Sequence, residues 1–279
     1  PGLGMLSQFA SVLDASSPVV GAAIGVSVSY GLGGKPLVLF SSAAAGAYGY
    51  LLGGPVGAYV AALVGSEFGT LVLDKTKVNI VVVPMATIVT GCLAGWLIGP
   101  TVSAFMNMLG GIINRATELS PLPMGIIVSV VVGLALTAPI SSAALCVMLD
   151  LSGIAAGAAC VGCCCQMVGF AVGSLPVNGI GGLISQGIGT SMLQFSNILK
   201  KPAIWLPPTI TSAILGPVST CIFRMENIAT GAGMGTSGLV GQIGAFSGME
   251  RSLAAGIAEI LLLHILLPAV LCWLITALF

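Results

Sequence analysis

Residues 78–98 read VNIVVVPMATIVTGCLAGWLI, and residues 253–278 read LAAGIAEILLLHILLPAVLCWLITAL. Both stretches are apolar almost without interruption, whereas the strands of a membrane β-barrel alternate apolar and polar residues over about 10 positions. A continuous apolar run of about 20 residues can cross about 30 Å of hydrocarbon as an α-helix, which satisfies its own backbone hydrogen bonds. The two stretches therefore predict membrane-spanning helices.

The composition of the whole chain supports a membrane protein. Of its 279 residues, 57% are hydrophobic and only 6% are charged, compared with about 25% charged residues in ordinary soluble domains. Eight Lys and Arg residues balance eight Asp and Glu residues, so the chain offers no basic surface for nucleic acid. We expect a lipid bilayer as its surroundings and no nucleic-acid partner.

Charged residues and clusters of Pro and Gly divide the chain into apolar runs, which predict about nine to eleven transmembrane or re-entrant helical elements. The fold class is thus an all-α polytopic membrane protein, with a single transmembrane domain over residues 1–279. The chain opens at Pro1, and we expect further sequence before it. The predicted elements are 18–34, 37–52, 55–73, 78–99, 101–114, 122–149, 152–174, 176–198, 203–223, 227–249 and 252–278.

Residues 176–198 allow two interpretations. The segment holds five glycines among many polar side chains, as a re-entrant hairpin buried in protein would. A hairpin would also place Lys200 and Lys201 on the same membrane face as the other basic loops, in agreement with the positive-inside rule. A spanning helix is the alternative, and both stay open at this point.

An internal repeat is indicated by residues that recur at a shift of 76 positions, with a slip of two more residues at the prolines. We predict repeat halves at about 137–174 and about 215–250, parallel if 176–198 is a hairpin and inverted if it spans. Transporters with duplicated halves build their solute site from broken helices near the bilayer midplane. The aligned pairs are Asp150 with Glu226, Ala156 with Ala232, Gly157 with Gly233, Gly162 with Gly238, Gln166 with Gln242, Phe170 with Phe246, and Pro139 with Pro217.

The glycine-rich stretch after Asn227 is the first candidate for a solute site. It reads NIATGAGMGTSG over residues 227–238, which is too rich in glycine for an unbroken helix. A broken helix exposes backbone N–H groups, and nearby polar side chains add donors and acceptors for a polyhydroxylated ligand. Close helix packing through small residues is the alternative. The candidate solute-binding residues here are Glu226, Asn227, Thr236, Ser237 and Gln242.

The matching half of the site would come from the first repeat. Asp150, Gln166, Asn178 and Gln186 could supply it, since an ionisable or amide group within an apolar segment must face protein, water or ligand. The alternative is that Asp150 ends a helix in water and Asn178 turns the chain.

Four of the eight cysteines cluster at Cys160 and at residues 163–165. No His lies near them in sequence, and a free Cys behaves as a small hydrophobic residue. We interpret them as packing residues and expect no metal site and no cofactor. The sequence also shows no activated nucleophile or phosphate-binding loop, so we expect a protein without catalytic residues that is not an enzyme.

Three stretches resemble the PfoR-like branch of phosphotransferase-system membrane subunits, the family described as EIIC-like sugar permeases. They are residues 201–209 (KPAIWLPPT), 216–220 (GPVST) and 227–242 (NIATGAGMGTSGLVGQ). The resemblance extends over almost the whole chain. It implies a multi-pass permease of the bacterial plasma (inner) membrane that is a homodimer and carries a sugar or a similar small polar solute.

The resemblance makes Glu226 the counterpart of the Glu near a helix break with which such permeases bind sugar, although no His accompanies it here. In such permeases group translocation needs phosphocarrier domains with a phosphorylated His or Cys. This chain has no soluble domain to host one, so such domains would be separate proteins or absent. Two other hypotheses remain. One is a membrane solute sensor or regulator of the PfoR type, and the other is an ion-coupled carrier of small organic anions that uses Glu226, Asp150 or Glu259.

Overall fold

The computed structural model describes residue 12 and residues 17–138, 141–249 and 251–278. Within these ranges the chain is helical and contains no β-strand, apart from one isolated antiparallel bridge between Gly153 and Asn227. Five helices are long and apolar enough to cross a membrane, which confirms an all-α polytopic membrane protein. They are Pro36–Val72, Asn79–Leu119, Gly153–Gly173, Pro202–Phe223 and Leu253–Leu278.

The chain forms two compact units, Pro1–Met108 and Leu109–Phe279. The first contains the helices Pro18–Gly31 and Pro36–Val72 together with most of Asn79–Leu119. The second contains the remaining helices, which are Pro121–Thr137, Ser142–Met148, Gly153–Gly173, Leu175–Ile184, Phe195–Lys200, Leu206–Pro217, Ala229–Ala232, Val240–Gly248, Leu253–Leu261 and Leu267–Leu278. Three π-helical turns interrupt them, at Ser185–Gly189, Val218–Phe223 and Leu262–Leu266.

The helix Pro36–Val72 is a hairpin of two antiparallel arms. Its backbone leaves the helical region at Gly53 and at Gly54, whose φ is +57°, a value that glycine adopts without a steric penalty. A Cβ at Gly49 would lie 2.6 Å from the Cβ of Ala61, although twelve residues of straight helix measure about 18 Å. The chain therefore folds back on itself, and the two arms correspond to the predicted elements 37–52 and 55–73.

Glycines and serines bring the helices of the first unit into close contact. The Ser42 hydroxyl donates a hydrogen bond to the carbonyl oxygen of Gly25 at 2.9 Å, and a Cβ at Gly53 would lie 2.8 Å from the Cα of Gly99. Small residues of this kind let helix backbones approach each other in lipid, where no hydrophobic force drives helices together. The first unit is thus a tightly packed helical scaffold.

Residues 78–99 and 101–114 form one helix rather than the two predicted elements. The helix Asn79–Leu119 continues through Pro84 and Pro100. A proline removes one backbone hydrogen bond and often kinks a helix, but membrane helices tolerate it where neighbouring groups compensate. Conversely, the predicted element 122–149 forms two helices, and Pro139, the residue aligned with Pro217, lies outside the described residues.

The second unit is built around the helix Gly153–Gly173, hereafter the central helix. Every residue from Ile154 to Ala171 is buried, as expected for a helix that is apolar on all sides and enclosed by protein. The core beside it includes Leu215, Met225 and Leu263. The central helix confirms the predicted element 152–174, and its full burial makes it the part of the unit against which the others pack.

Residues 175–200 form a broken, two-armed segment, hereafter hairpin A. Gly179, with a φ of +61°, breaks the first arm, and Thr190 is extended between the two arms. The side-chain amide of Gln194 in the second arm donates to Gln186 Oε1 in the first at 3.0 Å. This geometry is that of the hairpin alternative for residues 176–198, rather than of a single spanning helix.

Residues 227–248 form a second broken segment, hereafter hairpin B. Its arms are held together by glycine contacts, since a Cβ at Gly231 would lie 3.0 Å from the Cα of Gly244. Its tip contains Gly235, Gly238 and Leu239, all with φ between +52° and +61°. The sequence predicted a helix break here, and these left-handed residues produce it because glycine populates that region readily.

Candidate functional site

The tips of hairpins A and B meet beside the central helix. The Thr236 hydroxyl of hairpin B donates to the carbonyl oxygen of Gly187 in hairpin A, and the Ser237 hydroxyl donates to the carbonyl oxygen of Gly189 at 3.0 Å. Thr236 also lies 3.6 Å from the Met167 sulfur of the central helix. Two helix breaks that converge inside a helical bundle form the arrangement in which membrane transporters hold their solutes.

Gln166 of the central helix links hairpin A to two neighbouring helices. Its Oε1 accepts hydrogen bonds from Trp205 Nε1 at 3.0 Å and from the Thr137 hydroxyl at 3.2 Å. Thr137 in turn lies 2.8 Å from the Ser191 hydroxyl, at the start of the second arm of hairpin A. Gln166 is completely buried, so this network holds the tip of hairpin A against the central helix.

A cavity of about 410 Å³ lies between hairpin A and the ends of three helices of the second unit. Ligand pockets in proteins measure about 300–1,000 Å³, so this volume suffices for a small polar solute. Its lining combines apolar residues with six polar side chains that a hydroxylated ligand could use. Those six are Ser174, Asn178, Gln194, Asn197, Lys201 and Thr276.

Ser174, Gln194 and Asn197 line one wall of the cavity, and a chain of hydrogen bonds joins them through Gln186, which does not line the cavity itself. Asn197 donates to Gln194 at 2.8 Å, Gln194 donates to Gln186 at 3.0 Å, and Gln186 donates to Ser174 at 2.9 Å. Gln186 and Gln194 are buried, while Asn197 is exposed. A carboxamide offers both donors and acceptors. Gln194 and Asn197 therefore present both kinds of group to the cavity.

Two polar groups of the cavity have no partner of their own. The side chains of Asn178 and Lys201 make no hydrogen bond or ion pair within residues 17–138, 141–249 and 251–278. Both are exposed. Asn178 is the only predicted solute-binding residue that lines this cavity, and it turns the chain just before the break at Gly179.

Asn227 and Gln242 lie within and beneath hairpin B. Asn227 is buried, donates to the carbonyl oxygen of Gly241 at 3.1 Å and accepts from the backbone N–H of Ile228 at 2.8 Å. Its side chain therefore holds the two arms together. Gln242 Nε2 lies 3.1 Å from His264 Nδ1, so the Gln242 side chain points away from the hairpin tips and towards the last helix.

Asp150 and Glu226 lie close in sequence to a backbone contact between the two predicted repeat halves, at Gly153 and Asn227. The backbone N–H of Asn227 donates to the carbonyl oxygen of Gly153 at 3.1 Å. Asp150 and Arg224, each three residues before this pair, share the same left-handed φ of +46°. Asp150 and Glu226 are both exposed, and neither lines the cavity.

The predicted repeat halves have related breaks but different helices. A left-handed residue precedes each half, Asp150 before the first and Arg224 before the second. The segments that follow differ, because residues 153–173 form one helix and residues 227–248 form a hairpin. Gly235 and Gly238 adopt positive φ in hairpin B, whereas Gly162, the residue aligned with Gly238, lies within the central helix. The duplication stays a prediction.

The sequence did not single out Gln194, Asn197, Lys201, Trp205 or Thr137. A signal for the amide residues was present, because Gln186, Gln194 and Asn197 all lie within one segment that also holds five glycines. Polar side chains in an apolar chain mark protein-facing or ligand-facing positions. In a continuous helix Gln186 and Gln194 would be about 12 Å apart along the axis, so only the hairpin brings their side chains to the observed 3.0 Å.

Comparison with known proteins gives one match. The family model described as "Phosphotransferase system, EIIC" matches residues 2–279. No curated protein and no solved structure matches the chain.

Proposed function

The chain belongs to the EIIC family of the phosphotransferase system, the membrane components of sugar transport, and on that premise we propose that it moves a sugar or sugar-like solute that binds in the amide-lined cavity. The protein is a multi-pass membrane protein of the bacterial inner membrane. The observation that carries the proposal is the wall formed by Ser174, Gln194 and Asn197, held through Gln186, beside the free side chains of Asn178 and Lys201.

The chemistry of this wall suits a polyhydroxylated solute. Each sugar hydroxyl is both a donor and an acceptor, and so is each carboxamide. Lys201 adds a cation that would favour a sugar bearing an acidic or phosphate group, because an ammonium ion binds anions as a point charge. The apolar part of the lining, which includes Phe170 and Ile204, would contact the C–H face of a sugar ring.

The two hairpins would allow the solute to pass. Hairpin A is broken at Gly179 and Thr190, and loop or helix-end residues of this kind absorb the backbone changes of gating motions. The tip contacts of Thr236 and Ser237 with hairpin A would couple a movement of one hairpin to the other. We propose that four residues hold the two hairpins in position: Gln166, Asn227, Thr236 and Ser237. Asp150 and Glu226 lie exposed near the backbone contact between Gly153 and Asn227, and Gln242 lies in the interior of the second unit.

Separate phosphocarrier proteins and a second copy of the chain are part of this proposal. Group translocation requires a phosphorylated donor, and separate phosphocarrier proteins would transfer its phosphoryl group to a hydroxyl of the sugar held by this chain. A carrier driven by an ion gradient and a sensor that binds without transporting are the two alternatives, and the same reconstituted protein can discriminate among the three.

The binding site is tested by thermal shift of the detergent-purified protein against sugars, sugar acids, nucleobases and small carboxylates. A ligand at 100 times its dissociation constant stabilises a protein by about 2.7 kcal/mol. We expect a sugar or sugar acid to stabilise the wild type and Lys200→Ala but not Asn178→Ala or Lys201→Ala. Lys200 is the matched control, because it is exposed beside Lys201 and does not line the cavity. Equal stabilisation of all four proteins would place the solute elsewhere.

Uptake of the stabilising compound into proteoliposomes then tests transport. We expect accumulation of the phosphorylated compound only when phosphocarrier proteins and phosphoenolpyruvate are supplied. Uptake driven by a proton or sodium gradient alone would identify an ion-coupled carrier. Binding without uptake under either condition would identify a sensor.

A further inference from the structure

The second unit contains a buried group of metal-binding side chains that is separate from the cavity. The sulfur atoms of Cys160 and Cys164 and a ring nitrogen of His264 all lie within 4.8 Å of one another, and the three residues are buried. The two cysteines are four residues apart on the central helix, a spacing that places both on one helix face. His264 comes from the last helix and is 100 residues away in sequence.

Packing alone leaves polar atoms of this group unexplained. His264 Nε2 and Gln242 Oε1 are buried and have no hydrogen-bond partner among the described residues. His264 is completely buried, and a buried polar atom without a partner costs free energy unless a water or an ion satisfies it. A buried cysteine can serve as a small apolar residue, but a buried His beside two cysteines and an unsatisfied Gln needs a further ligand.

The backbone around His264 is also unusual. His264 lies in the π-helical turn Leu262–Leu266, and π-turns inside α-helices occur frequently at functional sites. Gly241 of hairpin B lies close to the central helix, since a Cβ at Gly241 would lie 2.7 Å from the Cys160 sulfur. Hairpin B is thereby packed directly onto the cysteines.

We propose that Cys160, Cys164 and His264 bind one Zn²⁺ ion, which fastens hairpin B and the last helix to the central helix. In a tetrahedral zinc site, Zn–S and Zn–N bonds of about 2.3 and 2.0–2.1 Å place the ligand atoms about 3.5–3.8 Å apart. The present spread of up to 4.8 Å is about 1 Å larger, which rotation of three side chains can close.

Gln242 supplies the fourth ligand. Its Nε2 atom lies 3.1 Å from His264 Nδ1 and 3.5 Å from the Cys164 sulfur, while its Oε1 has no partner. The oxygen and nitrogen of a carboxamide are exchanged by a 180° rotation and are assigned from hydrogen bonding. The rotated amide directs Oε1 into the cluster, where it completes four ligands from three elements of the fold.

Charge balance selects a divalent ion, and thiolate with imidazole ligands in tetrahedral geometry favours zinc among such ions. Each thiol loses its proton to solvent when the Zn–S bond forms, so two thiolates and one Zn²⁺ ion make a neutral complex. A neutral complex avoids the cost of a charge inside the membrane. A monovalent copper ion with the same ligands would leave a net charge of −1. From the sequence we expected these cysteines to be packing residues, because no His lies near them in the chain. The fold brings His264 to them, and this contact is the reason for proposing a metal site.

The test is metal analysis of the full-length chain, grown in medium containing zinc and purified in detergent without chelators. We expect about one zinc per chain in the wild type and in Cys163→Ser and Cys165→Ser, the matched controls on the same helix. Cys160→Ser, Cys164→Ser and His264→Gln should each retain less than about a tenth of the zinc. All variants are compared as monodisperse species on size-exclusion chromatography.

A second measurement does not depend on whether the variants fold. Growth of the wild type in cobalt should give the thiolate-to-cobalt charge-transfer absorption of a tetrahedral site with sulfur ligands. Wild-type protein without bound zinc and without these cobalt bands would overturn the proposal. Copper in place of zinc, or equal zinc in the Cys160 and Cys163 variants, would overturn it as well. None of these readouts depends on the transported solute.

Discussion

The hydroxyl group of Ser237 donates a hydrogen bond to the carbonyl oxygen of Gly189 at 3.0 Å. This contact joins the tips of two broken segments that are 48 residues apart in sequence. Each tip contains backbone groups that its own helix cannot satisfy. In a low-dielectric interior such groups need hydrogen-bond partners. Hairpin B supplies one of them, because its Ser237 hydroxyl pairs with a backbone carbonyl oxygen of hairpin A.

Removal of the tip contacts should weaken the link between the hairpins. We expect the double variant Thr236→Val/Ser237→Ala to lower the free energy of unfolding by about 1 kcal/mol, because hydrogen bonds between membrane helices are each worth about 0.6 kcal/mol. Solute uptake should fall more strongly than stability. Ser247→Ala is the control, since Ser247 is exposed and donates only to Ile243 of its own helix. Thermal unfolding and solute uptake are measured for both variants. Equal effects of the double variant and of Ser247→Ala would contradict a role of the tip contacts in linking the hairpins.

Filling the cavity should block the solute without unfolding the protein. Ala203 is exposed and lines the cavity, so the phenyl ring of Ala203→Phe can extend into existing space. We expect sugar binding to fall more than tenfold while the unfolding temperature changes little. Gly173→Ala is the matched control, because its added Cβ would lie 3.4 Å from Thr276 and leave the cavity open. Unchanged binding in Ala203→Phe would argue that the solute binds elsewhere.

The Gln166 network predicts a measurable coupling with Trp205. Gln166→Leu leaves the Trp205 N–H and the Thr137 hydroxyl without their acceptor, and we expect a loss of about 2 kcal/mol. The emission of Trp205 should change in a background in which Trp96 and Trp273 are replaced by Phe. A double-mutant cycle with Trp205→Phe isolates the pair, and we expect a coupling of about 1 kcal/mol. A coupling near zero would contradict the hydrogen bond.

Two adjacent glycines should respond in opposite directions. A Cβ at Gly110 would overlap the carbonyl oxygen of Leu149, whereas a Cβ at Gly111 would meet no atom within 4 Å. Gly110→Ala should therefore destabilise the protein by about 1–3 kcal/mol. Gly111→Ala should leave stability unchanged or raise it by up to about 1 kcal/mol, because alanine favours the helix. Thermal unfolding of both variants checks the helix contact, and equal effects would refute it.

Glu226 provides a direct comparison between sequence-based and structure-based interpretations. The Glu226 side chain is exposed and makes no hydrogen bond or ion pair to the described residues, so Glu226→Gln should leave the unfolding temperature unchanged. The family resemblance assigns a carboxylate beside a helix break to sugar binding, but Glu226 does not line the proposed cavity, so we expect uptake by Glu226→Gln to stay near that of the wild type. Arg224→Gln, at the same turn of the chain, is the control. Loss of uptake in Glu226→Gln alone would place the solute at this carboxylate rather than in the cavity.

Much of the fold could be predicted because lipid imposes simple rules. The runs 152–174, 203–223 and 252–278 became helices with nearly the predicted bounds, since a long apolar segment in a bilayer has no other way to satisfy its backbone. The elements 37–52 and 55–73 were also recognised, because Gly53, Gly54 and Pro55 mark the break between them. The continuous helix Asn79–Leu119 was missed, because Pro100 can either end or merely interrupt a membrane helix.

The candidate site was predictable only in part. Thr236, Ser237 and Gln166 were singled out by their polarity within apolar runs, and the structure places them at or near the meeting point of the hairpins. Asn178 lies in the cavity. The grouping of the amide side chains of hairpin A, and the contact of His264 with the cysteines, could not be read from spacing because they arise between different elements.

The sequence alone determined the lipid environment, the helical class and some of the helix breaks, such as those at Gly53 and Gly54 and within residues 227–238, since these follow from the local frequency of apolar residues, glycine and proline. Only the tertiary structure decided which breaks meet. Hairpin A reaches hairpin B through Gly189 and Ser237, and Cys160 reaches His264 across 104 residues. Glycines help these segments to approach the central helix, since a Cβ at Gly169 would lie 2.7 Å from the Cys272 sulfur and one at Gly235 would lie 2.8 Å from the Cys163 backbone. Such contacts depend on how helices pack in three dimensions, and local composition carries no record of that packing.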